Sequence, residues 1–98
     1  MAAKLVAAHK RMNTQQQWLW DAIQIKPQRW VQEPWGVLGG GFWAVGIMGQ
    51  TVIWYNDIEN GFECSRYIRY GTIPDYCCNQ YELEHILQRL VSGNASGD

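Results

Sequence analysis

The sequence is poor in the features that mark disulfide-rich, disordered and membrane proteins. It contains three cysteines, Cys64, Cys77 and Cys78, and an odd number with two adjacent is a poor disulfide framework. We therefore expect reduced thiols in a cytoplasmic protein. Hydrophobic residues make up 47% and charged residues 17%, which is too apolar for a disordered chain. The longest apolar run, residues 39–49, is broken by glycines and reaches about half the length of a membrane helix, so we expect no membrane partner.

An overall excess of charge is also missing. Eight Lys and Arg residues face nine Asp and Glu residues, which leaves a formal net charge of -1. Proteins that bind nucleic acid neutralise phosphates with a basic excess, so this balance argues against a nucleic-acid partner. The charge is unevenly spread, however, because residues 1–29 hold five bases and one acid, whereas residues 57–63 hold three acids and no base.

Aromatic residues are abundant instead. The 98 residues include six Trp, five Tyr and two Phe, and each such side chain buries roughly 150–250 Å². A domain this short buries only about 60–68% of the surface of its unfolded chain, so these rings decide whether it folds. We expect one small globular domain.

The chain divides into three parts. Residues 1–13 are an alanine-rich, basic lead that fits a helix, either separate or merged with the next one. Residues 14–91 are predicted to form a single α+β domain, and residues 92–98 a disordered tail. Thr14 and Gln17 match a capping box, which predicts a helix over 14–24 that ends before Pro27.

A further helix is predicted over residues 79–91. Asn79 fits its N-cap and Glu82 the third helical position of a capping box, while Cys78 packs as a hydrophobic staple. Gly93 is predicted to end this helix. Apolar residues at helical spacing predict a buried stripe of Leu83, Ile86, Leu87, Leu90 and Val91.

The strongest pattern is a three-stranded antiparallel meander over residues 42–48, 51–58 and 62–70. Gly49 and Gln50 suit a two-residue turn between its first two strands, with Met48 opposite Thr51. Strict alternation then predicts which side chains face the core. They are Trp43, Val45, Ile47, Val52 and Trp54.

The third strand depends on its turn. A two-residue turn would pair Ile53 with Ile68, whereas a three-residue turn over 59–61 pairs Val52 with Ile68 and buries more apolar groups. We predict the three-residue turn, with Gly61 at positive φ. The core face then also holds Phe62, Cys64 and Ile68.

Residues 25–41, rich in proline and glycine, are predicted to be a loop or a short irregular strand. Trp30 and Trp35 within it are expected to be buried as a lid. The fold class is therefore α+β, a three-stranded antiparallel meander with an N-terminal and a C-terminal helix packed on one face.

The second hairpin gathers the candidate functional residues. Three acids near its tip leave three interpretations open: a divalent-cation site, a polar tip that protects a sheet edge, or a patch facing a partner. Two tyrosines and an arginine on the predicted open face favour the patch, because interfaces are enriched in these residue types. The predicted binding surface consists of Tyr55, Asp57, Glu59, Glu63, Tyr67 and Arg69.

Other chemistry-bearing residues favour structural roles. The adjacent Cys77 and Cys78 lack the spacing of zinc ligands. Glu82 and His85 form one E-x-x-H motif, whereas a di-iron site needs two. Cys64 is predicted to face the core. We predict no catalytic residue, no metal and no cofactor.

The hairpin region resembles a group of short uncharacterised bacterial proteins with a WYNDIExGF-like hairpin, over about residues 18–91. The resemblance implies a free-standing bacterial cytoplasmic protein, and it transfers no activity and no catalytic residue. It is carried by Phe42-Trp43, Trp54–Ile58, Gly61-Phe62 and Asn79-Gln80.

Two functional hypotheses follow. The first is a non-enzymatic protein-interaction or binding module that uses the open sheet face, with an unknown protein partner or as a homodimer. An immunity protein against a toxin is a subtype of it. The alternative is a small ligand-binding or divalent-metal-binding enzyme that uses the acidic hairpin 57–63. Convergence of the candidate side chains in a pocket would distinguish the two.

Overall fold

The structure, a computed structural model, describes residues 1–32, 41–74 and 80–93. Within these ranges the chain forms three helices and one four-stranded antiparallel sheet, which confirms the α+β class. The strands lie side by side in chain order. The elements are α1 (Ala2–Arg11), α2 (Thr14–Ile23), β1 (Gln24–Trp30), β2 (Phe42–Met48), β3 (Thr51–Asn56), β4 (Gly61–Arg66) and α3 (Leu83–Val91).

Several predictions made from the sequence concern residues outside the described ranges. They are the burial of Trp35, the roles of Cys77 and Cys78, the N-cap at Asn79 and the disorder of residues 94–98. In the part of the chain that is described, none of the helices is long and apolar enough to cross a membrane.

The basic lead and the segment after it are two separate helices. Asn13 divides them, because its extended backbone interrupts the helical hydrogen bonding. Its side chain accepts the Gln16 backbone N–H at 2.8 Å, and Gln16 Oε1 accepts the Asn13 N–H at 2.9 Å. The capping box therefore lies one residue before the predicted pair of Thr14 and Gln17.

Helix α3 begins later than predicted. Glu82 is its N-cap rather than its third residue, and the Glu82 side chain makes no capping hydrogen bond. Gly93 at φ 78° follows the end of the helix, as predicted. The stripe is confirmed for four buried residues, Leu83, Ile86, Leu87 and Leu90, while Val91 is half-buried.

Strand β1 adds a fourth strand to the predicted three. It pairs antiparallel with β2, and the register shifts between Gln24 and Gln28. Pro27 lies within this irregular stretch of an edge strand, where a residue without an N–H is tolerated. Because proline is unusual within strands, the sequence predicted this segment only as a loop or a short irregular strand.

The predicted core face is wrong because β2 contains a bulge. Ala44 pairs with Trp54 and Gly46 pairs with Ile53, so Val45 is an extra residue between them. Strict alternation is broken at that point, and the predicted set divides between the two sides of the sheet. Trp43, Val45, Ile53 and Tyr55 lie on the side of the helices, whereas Ile47, Val52 and Trp54 lie on the other.

The register of β4 is also different from the prediction. Val52 pairs with Ser65 rather than with Ile68, so the connecting loop has four residues, 57–60. Asn56 stabilises this longer loop, because its Oδ1 accepts two loop backbone N–H groups at 3.0 and 3.1 Å. Ile68, predicted to be in the core, is 91% exposed.

Gly61 is required for a reason other than the predicted one. Asn60 and not Gly61 has the positive φ, 56°. A Cβ added at Gly61 would lie 2.2 Å from the Cα of Gln80, so the chain before α3 passes against the hairpin where there is no side chain. Close approach, not backbone conformation, excludes larger residues here.

The second face of the sheet is covered rather than open. β4 ends at Arg66, short of the predicted residue 70, and residues 67–74, termed the strap, reach back to the end of β1. Val31 N–H donates to the Gly71 carbonyl at 2.9 Å, and Ile73 N–H donates to the Val31 carbonyl at 2.8 Å. A second buried cluster results, which contains Trp30, Phe42, Ala44, Val52, Trp54 and Ile73.

Candidate functional site

The six residues of the predicted binding surface do not form one surface. Tyr55 is buried on the helix side of the sheet, whereas Tyr67 packs into the cluster under the strap. The ring centroids of Tyr67 and Trp30 lie 5.0 Å apart, edge to face. Arg69 is exposed on the strap, and Asp57 is exposed in the hairpin loop. The prediction that Tyr55, Tyr67 and Arg69 share an open face is therefore wrong.

Two of the three hairpin acids contact Gln80, and the third is exposed in the loop. Glu63 is buried and accepts the Gln80 backbone N–H at 3.2 Å, while Glu59 in the loop accepts from the Gln80 side-chain amide at 3.4 Å. Asp57 points to a separate, exposed position. Across the described ranges, no group of three or more His, Cys, Asp or Glu residues is placed to hold a metal ion.

A cleft of about 230 Å³ lies where α1 packs against the tip of the β3–β4 hairpin. It is termed the hairpin-tip cleft. Of the six predicted residues only Tyr55 lines it. The Phe62 N–H donates to the Tyr81 carbonyl at 2.8 Å, which holds the chain before α3 against the hairpin. The lining consists of Lys4, Ala7 and Arg11 from α1, Tyr55, Asn60, Gly61 and Phe62 from the hairpin, and Tyr81 and Glu82.

Asn60 joins the two sides of the hairpin-tip cleft. Its Oδ1 accepts from the Tyr55 hydroxyl and from Lys4 Nζ, the latter at 3.4 Å. Lys4 Nζ also lies 5.4 Å from the centroid of the Tyr55 ring, within cation–π range. Sequence reasoning missed Lys4 and Asn60, because they are 56 positions apart and only the docking of α1 brings them together.

Arg11 connects α1 to the beginning of α3. It donates from Nε and Nη2 to the two Glu84 carboxylate oxygens at 2.8 and 3.2 Å, and from Nη2 to Glu82 Oε2 at 3.1 Å. The hydrogen bond to Glu84 raises the pKa of the Arg11 guanidinium. Burial by itself would raise the pKa of Glu84, but the hydrogen bonds and positive charge around it, chiefly from Arg11, outweigh burial and hold this pKa below its ordinary value.

The Arg11–Glu84 pair predicts a loss of stability in acid. Because the pKa of Glu84 is lower in the folded state, its stabilisation is complete above the unfolded-state pKa of about 4.3 and is lost as the pH falls through the folded-state value. We expect Glu84→Gln to unfold at a lower urea concentration than the wild type at neutral pH, and the two midpoints to converge below about pH 4.

The exposed loop acid Asp57 provides a control for this measurement, since Asp57→Asn should leave the midpoint close to that of the wild type. A difference between the wild type and Glu84→Gln that persists undiminished to about pH 3 would show that charge on Glu84 is not its cause.

A second surface feature is apolar and lies between α2 and α3. Trp18 is 79% exposed on α2, beside a shallow recess of about 360 Å³. The helix predicted over 14–24 did not reveal that the side of α2 that carries Trp18 faces away from the sheet. The residues of this feature, termed the α2–α3 surface, are Gln15, Trp18, Leu19, Ala22 and Val91.

Comparison with known proteins adds no relative to these observations. The chain matches no protein-family model, no curated protein and no solved structure. Its function is therefore inferred from the geometry and chemistry of its own surfaces.

Proposed function

We propose that this chain is a non-enzymatic protein-interaction module that binds a second copy of itself through the α2–α3 surface. The observation that carries the proposal is the 79% exposure of Trp18 beside an apolar recess. Tryptophan is among the residue types most enriched at the energetic centres of interfaces. Contiguous apolar surface on a small protein is a typical mark of an interaction site.

The composition of the α2–α3 surface favours a second copy as its partner. Among the residues that the structure describes, none that lines this surface is charged, so these parts of two copies can face each other without repulsion between like charges. In a two-fold dimer the same patch meets itself. The protruding Trp18 of one copy then packs into the recess beside Ala22 and Val91 of the other.

The size of the surface indicates weak association. A buried Trp removes roughly 150–250 Å² from water, and the neighbouring side chains are smaller. The total is well below the ~800 Å² per partner of a standard interface. We therefore expect a dissociation constant above about 1 µM.

This proposal moves the interaction from the sheet, whose second face is covered by the strap, to the helices. It retains a cytoplasmic protein without a nucleic-acid partner, for which the cysteine pattern and the balanced charge argue. A bacterial origin rests only on the resemblance of the hairpin region, and the lack of a membrane partner on the short, glycine-broken apolar runs. Asp57 and Arg69 are exposed and remain candidates for contacts with a different protein. If the chain is an immunity protein, that partner is a toxin.

Sedimentation velocity from about 10 µM to about 1 mM protein tests self-association. We expect the mass to rise from 11.3 kDa towards twice that value in the wild type, and Trp18→Gln to remain monomeric. Val6→Gln is the matched control, because Val6 is an apolar residue of α1 that is 56% exposed, and this variant should associate like the wild type. A wild type that stays monomeric throughout, or a Trp18→Gln dimer, would overturn the proposal.

A further inference from the structure

We propose that the hairpin-tip cleft binds a small monocarboxylate with an aromatic or other flat apolar body, and that Lys4 and Asn60 hold its carboxylate. This site is separate from the α2–α3 surface, and the inference does not depend on self-association. It follows from the hydrogen-bonding groups, the charge and the ring surfaces that meet in the cleft.

The hydrogen-bonding groups of the cleft leave donors in excess. Asn60 Oδ1 already accepts twice, from the Tyr55 hydroxyl and from Lys4 Nζ, so the Asn60 carbonyl and the Tyr55 proton are both engaged. An ammonium group has three N–H donors and a side-chain amide has two. Lys4 Nζ and Asn60 Nδ2 therefore offer adjacent donors to a ligand that brings acceptor oxygens.

Charged groups of both signs meet at the cleft. Arg11 is shared by Glu84 and Glu82, so these three groups together carry one negative charge. By contrast, no carboxylate among the described residues lies within 4.0 Å of Lys4 Nζ. Lys4 is therefore a cation of the cleft without a close counterion among the described residues, and a ligand with a single negative charge can supply one. A charge-assisted hydrogen bond from Lys4 would be roughly twice as strong as a neutral one.

Three aromatic residues, Tyr55, Phe62 and Tyr81, contribute to the walls of the cleft. Phe62 is buried and Tyr81 is half-buried, and a backbone hydrogen bond joins the two segments that carry them. The Tyr55 and Phe62 rings pack with their centroids 5.1 Å apart, so the aromatic wall is held in place. A volume of about 230 Å³ is below that of the pockets that take drug-sized molecules, which indicates a ligand with a single ring.

Benzoate is the probe for this site, followed by ¹H–¹⁵N NMR titration of the full chain. We expect saturable shifts of the backbone amides of Lys4, Gly61 and Phe62, with a dissociation constant on the order of 1 mM, as for other weakly bound small ligands. Benzamide has the same shape without the charge and should bind at least about tenfold more weakly.

Two variants remove the proposed contacts to the carboxylate of the ligand. Both change side chains that are exposed, Lys4 and Asn60. Lys4→Gln should weaken benzoate binding by about tenfold or more. Asn60→Asp should do the same, because it replaces the N–H donors of the amide with a carboxylate that repels the carboxylate of benzoate. Lys10→Gln is the matched control: Lys10 is an exposed lysine of α1 that does not line the cleft, and this variant should bind like the wild type.

The spectrum of each variant reports whether the fold is retained. The proposal is overturned if benzoate causes no saturable shift in the wild type. It is also overturned if Lys4→Gln binds benzoate as tightly as Lys10→Gln, or if benzamide binds as tightly as benzoate. Tighter binding of phenyl phosphate than of benzoate would assign the site to a phosphate monoester and reject a monocarboxylate.

Discussion

Replacing Trp54 with alanine is expected to lower the free energy of unfolding by about 3–5 kcal/mol, the usual cost of truncating a large buried aromatic side chain. Trp54 is fully buried under the strap, and its ring lies 4.9 Å from that of Phe42. Its Nε1–H donates to Ser65 Oγ at 3.0 Å, a buried hydrogen bond whose acceptor would lose its donor. Urea unfolding of the wild type and the variant measures the difference.

Trp18→Ala is the matched control for this experiment, because it removes the same side chain from a position that is 79% exposed. Its effect should be within about 0.5 kcal/mol of zero, as for other surface substitutions. If Trp54→Ala were as mild as Trp18→Ala, the second face of the sheet would be open in solution. The strap would then not form part of the core.

Leu87→Ala is expected to destabilise the protein by about 2–5 kcal/mol. Leu87 is fully buried in the cluster in which α1, α2 and α3 pack on the sheet, so truncation leaves a cavity that its neighbours cannot fill. His85→Ala on the exposed side of the same helix is the control. An unchanged urea midpoint for Leu87→Ala would mean that the stripe of α3 does not face the core.

These two variants test the two halves of the core, which differ in how far the sequence predicted them. The stripe that contains Leu87 could be predicted because helical periodicity is local and one side of α3 is clearly polar. The location of Trp54 could not be predicted, because β2 and β3 carry large apolar residues on both sides. Alternation alone does not tell which side of such a strand meets the helices.

The two candidate sites, like the Trp54 half of the core, could not be predicted from local sequence patterns. Exposure of Trp18 depends on which side of α2 meets the sheet, and the helical pattern of that segment does not reveal it. The hairpin-tip cleft exists only because α1 docks on a loop whose length was predicted one residue too short. Tyr55 was predicted on an open face of the sheet, but it is buried on the helix side, and its partners Lys4 and Asn60 could not be inferred from the sequence pattern.

The sequence by itself determined the α+β class, the stripe and stop of α3, and the β2–β3 turn that pairs Met48 with Thr51. These features rest on interactions between residues close in the chain, so short patterns predict them. Only the tertiary structure decided the bulge at Val45, the four-residue loop 57–60, the strap and the partners in the hairpin-tip cleft. Each of these depends on pairing of backbone groups and burial of apolar groups between residues that are distant in the chain, which short sequence patterns do not encode.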